Sequence, residues 1–199
     1  MSRNLKITNS LTRKKELFKP INIKQITMYA CGPTVYDNPH VGNARTLVVF
    51  DVLFRVLKLI YGNVNYVRNI TDIDNKIIEA SKKNNNSINE LTKEVSKVFH
   101  ENCKDLNCLD PTKEPKATDH IKEMIEMTNS LIEKKFAYVS RGHVYFSVTS
   151  FKKYGKLSNK NLDELISGSR IKVSNFKKNP VDFVLWKPSN KEDPGWDSP

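Results

Sequence analysis

Ile26-Thr27-Met28-Tyr29-Ala30-Cys31-Gly32-Pro33 is the stretch on which the fold turns. A short, mostly apolar run meets a Gly-Pro pair that must end it, which reads as a buried strand closing on a turn. Beyond the turn, Leu47, Phe50, Phe54 and Leu57 recur at helical spacing, and Val49, Leu53, Val56 and Ile60 widen the stripe. The spacing predicts an amphipathic to mostly buried helix over 43–61, with Gly62 as its stop. Val64 to Ile70 reads as a second strand. Strand, long helix, strand is a βαβ unit, which sets the two strands parallel. The fold class expected is therefore α/β.

Further along, Ile73, Ile77 and Ala80 keep a helical spacing, and 82–86 reads as a polar loop. Ser87 with Glu90 three residues on is a capping-box pattern, opening a helix through Leu91, Val95, Val98 and Leu106. Asp110-Pro111 breaks it. Ile121, Met124, Ile125 and Ile132 mark another helix. Ala137–Val139 and Val144–Val148 flank Ser140-Arg141-Gly142-His143, the pattern of a hairpin. From Phe151 periodicity fades until the apolar run at 181–186, and Lys187 to Pro199 is polar with three prolines.

The 199 residues carry 33 Lys+Arg against 22 Asp+Glu, a net charge of +11. The length suits one large domain or a domain with an insertion. No apolar run approaches the roughly 20 residues of a membrane span, and Met1 to Lys6 has no secretory pattern, so a membrane partner is not expected. Three cysteines, Cys31, Cys103 and Cys108, do not build a disulfide framework and suit a reducing, cytoplasmic location. The basic balance suits an anionic partner such as nucleic acid or nucleotide. However, 26 of the 33 basic residues are Lys, so from charge alone a solvated basic surface is the favoured reading.

The chemistry concentrates in Met28 to Asn43. In a parallel α/β sheet, ligands sit beyond the C-terminal ends of the strands, and Cys31 lies at such an end. Gly32 and Gly42 let backbone approach a ligand closely. His40 and Asn43 open the long helix, whose free N–H groups and dipole suit phosphate. A thiol, the Thr34 hydroxyl and an imidazole thus converge where an anionic ligand would bind. Against this, a lone Cys is often a small hydrophobe, a His at a helix start is often a cap, and no GxGxxG or GxxxxGK[ST] is present.

Tyr29-Ala30-Cys31-Gly32-Pro33-Thr34-Val35-Tyr36-Asp37, followed by Pro39-His40-Val41-Gly42-Asn43, resembles the cysteinyl-tRNA synthetases. His40-Val41-Gly42-Asn43 is similar to the HIGH-type signature of class I aminoacyl-tRNA synthetases, with Asn in the last place. Tyr66 to Lys76, Glu114 to Ile121 and Asp182 to Lys187 resemble further blocks of that family, and the likeness runs from about Ile7 to Pro199. It implies the first half of a class I Rossmann-type parallel sheet in 1–114. In 115–199 it implies a connective-peptide insertion, stopping before a second half that holds the zinc site.

The resemblance implies ATP-dependent activation of L-cysteine to cysteinyl-adenylate, with Mg2+, and its transfer to tRNA(Cys). Cys31 aligns with a zinc ligand, and zinc prefers thiolate over hydroxyl, which selects cysteine against serine. His40 and Asn43 align with residues that hold ATP phosphates and stabilise charge at the reacting phosphorus. Gly32, Thr34, Gly42 and Thr71 align with positions of the substrate and ATP pocket. Thr71 also reads as a helix cap before Ile73. Asp72 and Asp74 read as structural, Cys103 and Cys108 as two helical residues that bind no metal, and His100, His120 and His143 receive no chemistry. The family's remaining zinc ligands and its Lys-Met-Ser-Lys-Ser motif do not occur in this sequence, so poor zinc retention is expected. Two other functions fit: the related cysteine ligase of mycothiol synthesis, and a truncated paralogue that binds nucleotide or RNA without chemistry. The insertion's Lys152, Lys153 and Lys156 are expected to meet the tRNA acceptor stem.

Overall fold

The computed structural model describes residues 4–160 and 175–199. In chain order its elements are β1 (Lys6–Asn9), β2 (Lys14–Leu17), β3 (Ile26–Ala30), α1 (Val41–Tyr61), β4 (Val64–Arg68), α2 (Asn75–Asn84), α3 (Ile88–Asp105), α4 (Ile121–Glu133), β5 (Ala137–Ser140), β6 (His143–Phe146) and β7 (Phe183–Trp186). Residues 19–120 make one compact unit, and residues 4–18 make a second with the described part of 121–199. The chain is a mixed α/β protein built on small sheets.

In the first unit β3 and β4 are parallel, from Ile26 opposite Val64 to Ala30 opposite Arg68. The expected βαβ unit is present, with β4 ending two residues early. Along the other edge of β4 a third extended segment runs parallel. Arg68 N–H donates to the Lys113 carbonyl at 3.1 Å, and Ile70 N–H to Pro115 at 2.9 Å. α1 ends as expected at Gly62, whose φ is 79° and whose N–H bonds to the Lys58 carbonyl at 2.8 Å. Left-handed backbone of this kind costs glycine little.

α1 is less buried than its periodicity suggests. Leu47, Phe54 and Leu57 are buried, but Val49, Val52 and Leu59 are 58%, 54% and 67% exposed. The buried stripe instead includes Asp51, whose carboxylate accepts from Arg55 Nε at 2.7 Å and Leu109 N–H at 2.8 Å. A buried carboxylate is tolerated when hydrogen-bonded in this way. The core gathers Val35, Leu47, Ile70, Ile77, Leu91, Val95, Phe99 and Cys103.

The Ser87–Glu90 capping box forms, with Glu90 N–H donating to Ser87 Oγ at 3.2 Å and Ser87 N–H to Glu90 Oε2 at 3.0 Å. Two expectations are corrected. Residues 82–84 are the last turn of α2 rather than loop, because cations favour a helix C-terminus. The turn comes at left-handed Asn85, with φ of 53°. Cys103 and Cys108 do not share a helix: α3 ends at Asp105, and Asn107 at φ 54° turns the chain so that Cys108 N–H bonds to the Cys103 carbonyl at 2.9 Å.

In the second unit β5 and β6 form the expected hairpin. Arg141 and Gly142 both have positive φ, 49° and 74°, as a two-residue type I′ turn requires. β7 adds to β6 antiparallel. Asp182, 1% exposed, anchors this sheet. It accepts from Tyr138 Oη at 2.8 Å, Val148 N–H at 3.0 Å and Asn179 N–H at 3.1 Å. The β1–β2 hairpin has no counterpart in the sequence reading. Its strands carry no apolar alternation, and its turn is held by polar side chains. Leu11 N–H donates to Asn9 Oδ1 at 3.0 Å, and Thr12 Oγ1 and Asn9 Nδ2 both donate to the Glu16 carboxylate. Asn159 Nδ2 reaches the Ser10 carbonyl at 3.2 Å.

Candidate active site

The parallel strands bring two loops together. Asn69, one residue past β4, joins them: its Oδ1 accepts from Gly32 N–H and from Tyr29 Oη, each at 2.9 Å, and its Nδ2 donates to Thr71 Oγ1 at 3.1 Å. Thr71 N–H bonds to the Pro33 carbonyl at 3.0 Å and Val35 N–H to the Thr71 carbonyl at 3.1 Å, which bridges Thr34 to Thr71. Gly32 packs so tightly that a Cβ there would lie 1.5 Å from the Asn69 carbonyl oxygen.

The α1 N-terminus is built by its own side chains. His40 is the N-cap, its Nδ1 accepting from Gly42 N–H at 3.0 Å, while Asn43 Oδ1 accepts from His40 N–H at 3.0 Å. This reciprocal arrangement is a capping box made by His and Asn. An accepting Nδ1 leaves the ring proton on Nε2. A Cβ at Gly42 would come within 2.8 Å of His40 Cε1, so the ring keeps this position only over a glycine. No acidic residue occupies the first turn, so no carboxylate within the helix opposes its positive end, and Asp37 is the acid nearest it in sequence that lines the same hollow.

Gly32, Thr34, His40 and Asn43 all line one hollow of about 300 Å³. An adjoining hollow of about 150 Å³ holds exposed Cys31 with Gly32, Asn43, Thr46 and Phe99. Thr71 reaches the site through its bridge to Thr34. It is not a helix cap, because Asp74 caps α2 by accepting from Lys76 N–H at 2.9 Å. Asp72 holds Thr118 through its N–H at 3.0 Å and Oγ1 at 2.6 Å. Four residues of the site carry no expectation from the sequence. They are Asn69, Thr46, Phe99, which lines both hollows, and Lys76, whose Nζ lies 5.0 Å from the Tyr36 ring centroid. The one signal for Asn69 is its place within Tyr66 to Lys76, a stretch that resembles the family.

Behind the hollows lies a buried ion pair. Arg68, 3% exposed, donates to Glu114 Oε1 from Nε at 2.8 Å and Nη2 at 2.6 Å. Glu114 Oε2 meets His100 Nε2 at 2.5 Å. Burial opposes the Arg68 charge, but the Glu114 hydrogen bonds and charge outweigh it and raise the pKa further. Burial likewise raises the Cys103 and Cys108 thiols, which stay neutral at physiological pH. His143 stacks on Tyr145 in the second unit, 5.7 Å between centroids.

Cys31 is a single donor. Among the described residues no three His, Cys, Asp or Glu side chains group to hold a metal. Zinc takes about four ligands, so the described residues do not fit zinc by themselves.

The family model described as the class I (C) tRNA synthetase catalytic domain matches residues 17–199. The chain belongs to that family. Among curated relatives of this synthetase domain, a protein named cysteine–tRNA ligase from Pelagibacter ubique is 59% identical across the whole chain, which covers 44% of that protein. Proteins of the same name from Wolbachia pipientis and Beijerinckia indica are 54% and 51% identical over 98% of the chain, which covers 43% of each. The chain thus spans under half the length of these relatives. No helix among the described residues is long and apolar enough to cross a membrane.

Proposed function

We propose that this synthetase domain is the ATP- and cysteine-binding portion of a cytoplasmic cysteine–tRNA ligase. Such an enzyme activates L-cysteine with ATP and Mg2+ and passes it to tRNA(Cys). The observation that carries the reading is the 300 Å³ hollow, in which the His40 cap and Asn43 meet Gly32 and Thr34. In the reaction, a cysteine carboxylate oxygen attacks the α-phosphorus of ATP and pyrophosphate leaves. Charge builds on the phosphate oxygens as it does so. The His40 Nε2–H and the positive end of the α1 dipole are suited to that charge, by electrostatic stabilisation rather than proton transfer. Gly32 shapes the wall, Gly42 seats the His40 ring, Thr71 holds the Thr34 loop, and Thr34 supplies a hydroxyl. Cys31 offers one thiolate, a single ligand of the several that a zinc ion needs.

The parallel β3–β4 pair and the third segment at 112–117 support a finer reading, in which 1–114 is the first half of a Rossmann-type sheet. On that reading 115–199 is the connective insertion. The test is cysteine-dependent ATP–pyrophosphate exchange by the full-length protein, followed by cysteine transfer to tRNA(Cys). Both activities are expected, and His40→Ala should lower exchange by at least tenfold. Exchange without transfer to tRNA would point to the aminosugar ligase. No exchange would point to a non-catalytic paralogue.

A further inference from the structure

α3 has two faces, and only one is explained by the core. Leu91, Val95, Phe99 and Cys103 face inward. Lys93, Lys97, Lys104, Thr92 and Ser96 lie outward and, with Lys116 from the extended segment beside β4, line a groove of about 570 Å³. Its two acids are engaged. Asp72 is held by Thr118, and Glu101 lies 3.9 Å from Lys97, a pair whose side chains are 56% and 77% exposed. Such a pair neutralises little. Lys93, Lys104 and Lys116 have no acidic partner within 4 Å among the described residues.

We propose that this groove is an RNA-binding surface separate from the active site, and that it takes the sugar–phosphate backbone. The inference rests on the tRNA partner of the preceding reading. Three observations favour a polynucleotide over a small anion. Lys93 and Lys104 are eleven residues apart on one helix, about 16 Å along its axis, which a run of phosphates spans and a single phosphate does not. The cations are all Lys, point charges on flexible stems, with no Arg fork shaped to one phosphate. Thr92 and Ser96 add hydroxyls of the kind that bind phosphate oxygens. No Phe, Tyr or Trp lines the groove, and its one ring, His100, is tied to Glu114, so it holds no free platform for stacking bases, and binding is independent of sequence.

The test uses the full-length protein with Lys93, Lys97, Lys104 and Lys116 all changed to Gln, and Lys104→Glu alone as a second variant. Binding of tRNA(Cys) and of a non-cognate tRNA is followed by fluorescence anisotropy across salt concentrations. Each phosphate that the variant no longer neutralises should flatten the slope of log K against log salt by about 0.7–0.9. The quadruple variant is expected to lose about three units of slope and at least tenfold in affinity, equally for both tRNAs. Lys104→Glu should lose part of this, and cysteine-dependent pyrophosphate exchange should be unchanged in both variants. Unchanged slope and affinity, or a loss confined to tRNA(Cys), would overturn the proposal. A wild-type protein with no exchange at all would instead overturn the function it rests on.

Discussion

The imidazole of His40 lies against the backbone of Gly42. Its Nδ1 takes the Gly42 amide proton at 3.0 Å, and Cε1 occupies space within 2.8 Å of where a Cβ would be. In Gly42→Ala the ring must therefore swing off the helix end. Losing the cap costs about 1 kcal/mol, and replacing helical Gly by Ala returns a similar amount. Melting temperature should barely move. Pyrophosphate exchange by the full-length variant should fall at least tenfold, which is about 1.4 kcal/mol of transition-state stabilisation. Full exchange activity would show that the ring's position does not matter.

Gly32→Ala should behave the opposite way, through stability. Its Cβ would meet a backbone oxygen at 1.5 Å, that of Asn69, and no rotamer relieves such a clash. The strand ends must separate, at a cost of about 1–3 kcal/mol or more. Urea unfolding of the variant should show a clearly lower midpoint. A midpoint equal to the wild type would contradict the packing described.

The Arg68–Glu114 pair predicts an asymmetry. Glu114→Ala strands a guanidinium that is 3% exposed and should destabilise by about 3–5 kcal/mol. Arg68→Met removes the buried charge itself and leaves Glu114, one-fifth exposed, still paired with His100. It should cost clearly less. Denaturant midpoints of the two variants decide the order, and an inverted order would refute the account.

Four thiol and phenol groups have raised pKa values: Cys103 and Cys108 from 9.0, Tyr66 from 10.0, and Tyr138 from 10.0 to about 12, each chiefly through burial. All four are neutral when protonated. On raising the pH, the unfolded chain therefore loses these protons before the folded one does, and stability falls. Their contribution is fully present below pH 9 and is lost progressively from there to about 12. Thermal melts across that range should drop steadily. Cys103→Ala, if it folds, should shallow the early part of the fall.

Cys31 alone should not retain zinc in the 199-residue chain. Material grown with zinc and desalted is expected to hold less than ~0.1 equivalent by atomic emission, since a stable site takes about four ligands. Stoichiometric zinc would mean that further ligands are present in this chain.

The β3–α1–β4 unit was legible because apolar periodicity reports burial directly, and the Ser87 cap because its partners are three residues apart. The exposed outer face of α1 was not. A run such as Val48-Val49 shows affinity for a core but not whether one lies opposite. β1 and β2 were invisible because Asn9, Thr12 and Glu16 shape that hairpin by hydrogen bonds rather than by pattern. In the site, His40, Gly42 and Asn43 could be read as a motif, yet the ring-over-glycine packing that ties them together exists only in three dimensions. Asn69 escaped because its partner Gly32 is 37 residues away, beyond the reach of any local pattern.

The β1–β2 hairpin has a place in the order of synthesis. Ser10 is held by Asn159, 149 positions later. At roughly 5–20 residues per second the ribosome takes about 7–30 s to cover that distance, whereas a hairpin closes in about 1–10 μs. Residues 4–18 therefore emerge long before the rest of their unit exists, as an isolated two-stranded ribbon of marginal stability. Lys6, Lys14 and Lys15 on those strands are the kind of charge that stops an open edge from pairing with a neighbouring nascent chain. Part of this chain's basic character thus sits on the strands that are made first.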